Sequence, residues 1–349
     1  MDAMLRNVGL IAPFGEVPLN PAVAALPKVD LHIHQEQSPW IERVLAGREG
    51  RAAYDWRGWA GRLMDETPPG MARLARLGEV QPGPLAADAA PEMFVARLVG
   101  LLAEAARDGA VLVEVRCGGE TPLRPDFMAL FREAERRVQA RYPRLRAEVI
   151  APLILWYEPE RLERVFAACL RAAREGMAGI DLIYRPYDTE ADWSVAAQIA
   201  ARAADGGLGV TVHAGEFSTA NIAAAARLPG VTRLGHATYA AEDPRLLDLL
   251  AERGITIECS LSSNVVLGAV PSYEAHPIRR FLETGIPVAL GTDDPAQLCT
   301  TLGREYAIAA ELGFSPRELL GFTESAIRAA FTTDERRATL LTEVLSAEC

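Results

Sequence analysis

The chain holds five histidines, and four of them stand in short motifs whose residue types can do chemistry. His32 and His34 lie two apart in DLHIH. In an extended segment that spacing puts both imidazoles on one face, where they can converge on a metal ion. His213 stands in VTVHAGE, and the Gly215 turn after it can swing Glu216 back over the strand end. His236 stands in RLGHAT, and Asp293 and Asp294 in ALGTDDPA. Adjacent carboxylates on an extended segment point to opposite sides, so one can face a metal and the other a water or a substrate. Three imidazole nitrogens, one carboxylate and a water make a reasonable zinc sphere, and a further carboxylate beside it is a natural proton shuttle. Taken singly, each motif has a plain structural reading: a core histidine, a glutamate opening a helix, a capped DDP turn. Their joint occurrence points to metal-assisted hydrolysis.

Such groups need a frame that brings distant residues together. Eight short β-rich runs alternate with long Ala/Leu/Arg/Glu segments of helical period: 29–34, 111–117, 147–155, 179–184, 209–213, 232–236, 255–260 and 287–290. This alternation predicts an α/β fold, a (β/α)₈ TIM barrel forming one domain over 1–349, with a doubly wound open sheet as the competing arrangement. The motifs end the first, fifth, sixth and eighth runs, and a barrel builds its active site at that end of its strands. Three regions break the rhythm. Residues 1–27 carry Pro13, Pro18, Pro21 and Pro27 and read as an N-terminal arm. Residues 35–110 are too long for one crossover and read as a helical insertion after the first strand, a lid in which Trp56, Trp59 and Leu63 form an apolar gate. Residues 315–349 read as extra C-terminal helices on the outside. The charged stretch 131–146 reads as a solvated helix face, and His276 as structural, near a helix start.

Composition removes several function classes. A net charge of −11 disfavours nucleic acid as a partner. The five cysteines form no CxxC pair, which suggests reduced thiols and a cytoplasmic setting. The N-terminus has no signal-peptide pattern, and no apolar run reaches the ~18 residues a membrane span needs. The chain contains a single lysine, Lys28. It precedes the first strand and so lies at the far end of the barrel from the motifs, which excludes Schiff-base, PLP and P-loop chemistry. It also leaves no lysine to bridge two metals, so one metal per chain is expected.

At this point the residues resemble the adenosine deaminase family of the amidohydrolase superfamily. The matching stretches are LPKVDLHIH (26–34), VEVRCG (113–118), GIDL (179–182), TVHAGE (211–216), RLGHAT (233–238), ECSLSSN (258–264) with HP (276–277), and GTDDP (291–295). They occur in the family's order. The resemblance implies one Zn²⁺ held by His32, His34, His213 and Asp293. It implies that Glu216 protonates the ring nitrogen beside the carbon under attack. His236 would orient the attacking water and help deprotonate it, and Asp294 would hydrogen-bond the water or a purine nitrogen. Ammonia is then the leaving group.

The chain departs from the family at the substrate end. After the two histidines the adenosine-specific members carry an aspartate and a glycine, whereas here the run is Gln35, Glu36, Gln37. Adenine deaminases of the family also carry glutamate there. After GIDL comes IYRPYD, where the family has a small residue. Glu36, Asp181, Tyr184 and Arg185 are therefore the expected substrate-binding residues, with Arg185 suited to an anionic or carbonyl group. The expected substrate is a small amino-heterocycle, adenosine or adenine first. A modified purine, pterin or pyrimidine is the alternative. Hydrolysis of a cyclic amide or ester fits poorly with Glu216, which suits an aromatic ring nitrogen, and a silent nucleoside-binding relative fits poorly with a complete set of His32, His34, His213, Glu216, His236, Asp293 and Asp294.

Overall fold

The computed structural model describes residues 17, 20–80, 90–185 and 187–346. Its strands are β1 (Lys28–His34), β2 (Ala110–Arg116), β3 (Arg146–Ile154), β4 (Gly179–Ile183), β5 (Gly209–Ala214), β6 (Val231–His236), β7 (Thr256–Cys259) and β8 (Val288–Leu290). They form one sheet in sequential order, each paired in parallel with the next. A parallel bridge joins Ile33 to Asp293 just beyond β8. There Asp293 N donates to His32 O at 2.6 Å and His34 N donates to Asp293 O at 3.0 Å. Sequential order with the two ends meeting is a barrel, and it removes the open-sheet alternative.

The helices form for the usual reason, an apolar stripe that needs cover. Helix Phe127–Gln139 buries Phe127, Phe131, Ala134 and Val138, while Glu133 pairs with Arg136 and Arg137 on its outer side. Helix Pro316–Ala329 starts with a capping box between Ser315 and Glu318 and a proline in its first turn. Beyond its end, Phe331 seals the barrel floor. A Cβ at Gly179 or Gly209 would strike its ring, and the Arg233 guanidinium stacks on it at 3.7 Å.

The interior of the barrel is unusual. Where branched apolar layers are the rule, here Glu114, Arg116, Asp181, Arg233 and Glu258 fill the middle, all fully buried. The apolar residues lie instead on the outer faces of the strands, against the helices.

The insertion after β1 runs through a short turn Gln35–Gln37 and helices Pro39–Glu49, Trp56–Glu66 and Met71–Leu77, before Pro91–Arg107 covers β2 as an ordinary crossover helix. Arg73 anchors it by donating to Met64 O, Thr67 O and Val266 O. The expected N-terminal arm falls mostly outside the described residues. Among the described residues no helix is long and apolar enough to cross a membrane.

Candidate active site

β1 and β5 carry His32, His34 and His213 to the same end of the barrel, the His34 ring 5.7 and 5.6 Å from those of His32 and His213. His32 Nε2 and His213 Nε2 lie 3.1 Å apart. Asp293 Oδ1 lies 3.5 Å from His32 Nε2 and 3.4 Å from His34 Nε2. His236 joins from the end of β6, its ring 4.9 Å from that of His32 and 5.2 Å from that of His213. Two sets have donor atoms all within 4.8 Å of one another: His32, His213, His236 and Asp293, and His34, Asp293 and Asp294. Of the expected ligands, His32, His213 and Asp293 thus converge together with His236, while His34 meets them through Asp293. His236 and Asp293 both have left-handed backbones, φ 65° and 59°. For side chains with a Cβ this is a strained choice, and such strain collects at functional sites.

Beneath these groups, carboxylates take the other ring nitrogens. Glu258 Oε2 lies 2.7 Å from His32 Nδ1, and Asp181 Oδ2 lies 2.9 Å from His213 Nδ1. Both acids face Arg116, which donates to Asp181 Oδ2 and to Glu258 Oε2 at 2.6 Å each. Arg233 pairs with Glu258 Oε1 at 2.8 Å and with Glu114. Burial alone would raise Glu258, yet Arg116 and Arg233 hold it well below the usual carboxylate range. Burial is likewise outweighed at Asp181, held low by His213 and Arg116. Ionised carboxylates only accept, so His32 and His213 donate through Nδ1–H and turn Nε2 lone pairs toward each other. Two lone pairs 3.1 Å apart, with Asp293 alongside, suit a cation. Where no cation shares that gap a proton does: burial and Arg116 oppose the charge on His32, but Asp293 and Glu258 prevail and lift it to about 9, and a cation bound between the rings would take the place of the Nε2 proton. Ser263 donates to the remaining Asp293 oxygen at 2.6 Å.

Glu216 arrives as the local sequence suggests. Gly215 has φ 77°, and a Cβ there would lie 2.6 Å from Ile222, so only glycine makes this turn. The Glu216 carboxyl is buried with Oε2 3.9 Å from His236 Nε2. Its Oε1 finds no hydrogen-bond partner among the described residues. Burial first, then Asp293, pushes its pKa up to about 8, against a lowering by Arg185.

These groups line a cavity of about 480 Å³ with Glu36, Asp294, Ile183, Arg185, Leu74 and Leu77 among its walls, a size typical of small-molecule sites. Glu36 sits over Gly118, where a Cβ would strike its carboxylate, and Arg97 holds the Glu36 carbonyl at 3.0 Å. Arg185 reaches in between Trp156 and Tyr187, 5.6 and 5.9 Å from their ring centres. Two expected substrate-binding residues are corrected. Asp181 is fully buried one level below the rim, its oxygens taken by His213 and Arg116. Tyr184 turns away, its ring 5.9 Å from Trp193. Strand alternation explains it: β4 points Asp181 and Ile183 inward, so the rim position belongs to Ile183. The expected gate is also displaced, since Trp59 and Leu63 form a buried cluster with Leu74 and Leu77, and the two leucines meet the cavity.

His276 lies just before helix Ile278–Glu283 and is more than a helix-start residue. Its Nε2 lies 3.1 Å from Asn264 Oδ1, and Asn264 Nδ2 lies 3.2 Å from His236 Nδ1. Sequence reasoning gave Glu258, Ser263 and Asn264 no role and read His276 as structural alone. The signal available was the charge in an apolar run, as in TIEC and VEVR.

The profile of the adenosine deaminase family matches residues 92–347. An adenine deaminase of Rhizobium leguminosarum bv. trifolii is 43% identical over 141 residues, 40% of this chain and 44% of the relative. An adenosine deaminase of Serratia proteamaculans is 41% identical over 145 residues, 41% of this chain and 44% of the relative. The chain thus spans somewhat less than half the length of these curated relatives. An Arabidopsis N6-mAMP deaminase structure superposes with a TM-score of 0.75 at 23% identity, covering 93% of this chain and 99% of that one. At that identity the likeness speaks for the barrel alone. With the profile matching most of the sequence, the chain belongs to the adenosine deaminase family.

Proposed function

We propose that the chain is a zinc-dependent hydrolytic deaminase of an aminopurine of the adenine or adenosine type. The observation that carries this reading is Glu216. It is a buried carboxyl with one oxygen unpartnered, pushed up to about 8, beside a cluster of imidazoles and Asp293. Such a group holds a proton at neutral pH and can give it to an aromatic ring nitrogen, a task that hydrolysis of an amide or ester does not require.

His32, His34, His213 and Asp293 would hold one zinc ion. When bound, zinc supplies the acidity that brings water toward a pKa of ~7. Glu216 protonates the ring nitrogen next to the amino-bearing carbon, which makes that carbon electrophilic. Asp294 hydrogen-bonds the incoming oxygen or the neighbouring ring nitrogen. Water adds, the amino group leaves as ammonia, and the ring becomes the corresponding oxo compound. Among the described residues Cys117, Cys169, Cys259 and Cys299 form no disulfide, which is in keeping with a reducing, cytoplasmic setting. Names of the aligned relatives support adenine and adenosine as first candidates. Arg185 favours a second reading within the same chemistry, an amino-heterocycle bearing an anionic or carbonyl substituent.

The test is ammonia release by zinc-loaded protein with adenosine and adenine assayed side by side. Turnover of either supports the proposal, and preference for adenine assigns Glu36 to closing the sugar side. Inactivity on both, with zinc bound, moves the search to the second reading.

A further inference from the structure

Of the four clustered imidazoles, His32 and His213 are backed by carboxylates, and His236 is backed by something of opposite polarity. Its hydrogen-bond chain can be read without ambiguity because it starts on a backbone N–H, which can only donate. Ile278 N donates to His276 Nδ1 at 3.1 Å. His276 is buried, and burial holds its pKa down to about 3, so the ring is neutral and its hydrogen resides on Nε2. That Nε2–H donates to Asn264 Oδ1 at 3.1 Å. The amide orientation follows, and Asn264 Nδ2–H donates to His236 Nδ1 at 3.2 Å. His236 Nδ1 is then an acceptor, and the hydrogen of its neutral ring resides on Nε2, toward Glu216 and the cavity.

We propose that Asn264 and His276 are positioning residues that hold His236 as the Nε2–H tautomer, making it a hydrogen-bond donor to the reacting oxygen rather than a metal ligand or a resting-state base. An Nε2 that carries hydrogen has no lone pair for a metal, and Nδ1 points away from the site. By the same logic, the carboxylates behind His32 and His213 turn their Nε2 lone pairs inward. The partner behind each ring therefore sorts three similar imidazoles into two ligands and one donor. This replaces the expected role of His236 in deprotonating water. The tautomer stands independently of the deaminase reading; only its kinetic consequence rests on that reading.

The experiment is a long-range ¹H–¹⁵N correlation spectrum of zinc-loaded protein with ring-¹⁵N histidine. Only five imidazoles contribute, and His236→Gln identifies the signals of interest. The expected spectrum shows hydrogen on Nε2 of His236 and none on Nδ1. Hydrogen on Nδ1, or on both nitrogens near neutral pH, overturns the proposal. Asn264→Asp puts an acceptor behind the ring and should move the hydrogen to Nδ1. Zinc content should be kept, and kcat should fall ~10–100-fold with KM little changed. An unchanged His236 pattern in that variant also overturns it. A protein inactive on every aminopurine but carrying Nε2–H would refute the deaminase reading and leave the tautomer assignment intact.

Discussion

The barrel interior below the histidines and the cavity wall above them are both polar, yet they are built in opposite ways. Below, Arg116 touches Asp181 and Glu258, Glu258 touches His32, Thr211 and Arg233, and Arg233 touches Glu114, so most charged atoms there have one or more fixed partners. Above, Glu216 has an unpartnered oxygen, and Glu36, Asp294 and Arg185 face a cavity of about 480 Å³. The lower layer spends its charges on holding imidazoles in one tautomer and one place. The upper layer keeps polar groups facing the space where a substrate would sit. A buried polar network is costly unless complete, so the lower half should tolerate few substitutions, while the upper half should trade one substrate for another.

The sharpest break in this contrast comes from the layer where the two meet. His213→Ala should remove the bound metal and bring turnover to background; elemental analysis showing full zinc would exclude His213 from the ligand set. In the lower layer, Arg116→Met strands two buried carboxylates. It should cost about 3–5 kcal/mol in denaturant unfolding, and a loss below about 1 kcal/mol would mean that the network is not holding the barrel together.

In the upper layer, Glu216→Gln should leave zinc content and unfolding unchanged while kcat falls ~10²–10⁴-fold. The wild-type pH profile should carry the same group. The protonated form is the active one and its pKa is raised to about 8, so kcat/KM should be held below that value and lost as pH rises through it. A bound dication favours the carboxylate, which sets the limb at or below about 8. Glu216→Gln should abolish this limb; a limb that survives belongs to another group. The smallest effects lie at the cavity mouth. Arg185→Gln and Glu36→Gln should change the ratio of kcat/KM between two aminopurines by roughly 1–3 kcal/mol without moving the unfolding midpoint. A fall in stability there would erase the distinction between the layers.

Much of this was legible in the chain. DLHIH, VTVHAGE, RLGHAT and GTDDP announce their chemistry because side-chain type and strand period are local properties. Placing them at the C-terminal ends of four strands followed from counting alternating runs. Less visible was the network beneath. Arg116 meets Asp181 across 65 positions and Glu258 across 142, and nothing local in VEVR or TIEC says which partner each charge will find. The misplaced residues fail for a related reason. Tyr184 and Ile183 are adjacent, and a shift of one position turns a wall residue outward. Asp181 has the right inward direction at the wrong height. Trp59 and Leu63 have the right apolarity but sit behind Leu74 and Leu77, a matter of how two helices of the insertion pack.

Residue type and spacing thus decide that this chain alternates strands with helices and carries imidazoles, an acid and paired aspartates to the ends of its strands, because periodicity and strand ends are written within a few residues; closure into a barrel rests on the tertiary pairing of Ile33 with Asp293. Which histidine offers a lone pair and which offers a hydrogen is decided only by tertiary structure. That choice depends on what stands behind each ring: Glu258 behind His32, Asp181 behind His213, and an amide held by His276 behind His236. A hydrogen bond across the barrel reaches groups dozens of positions away, and its polarity sets the chemistry of the atom on the other side of the ring.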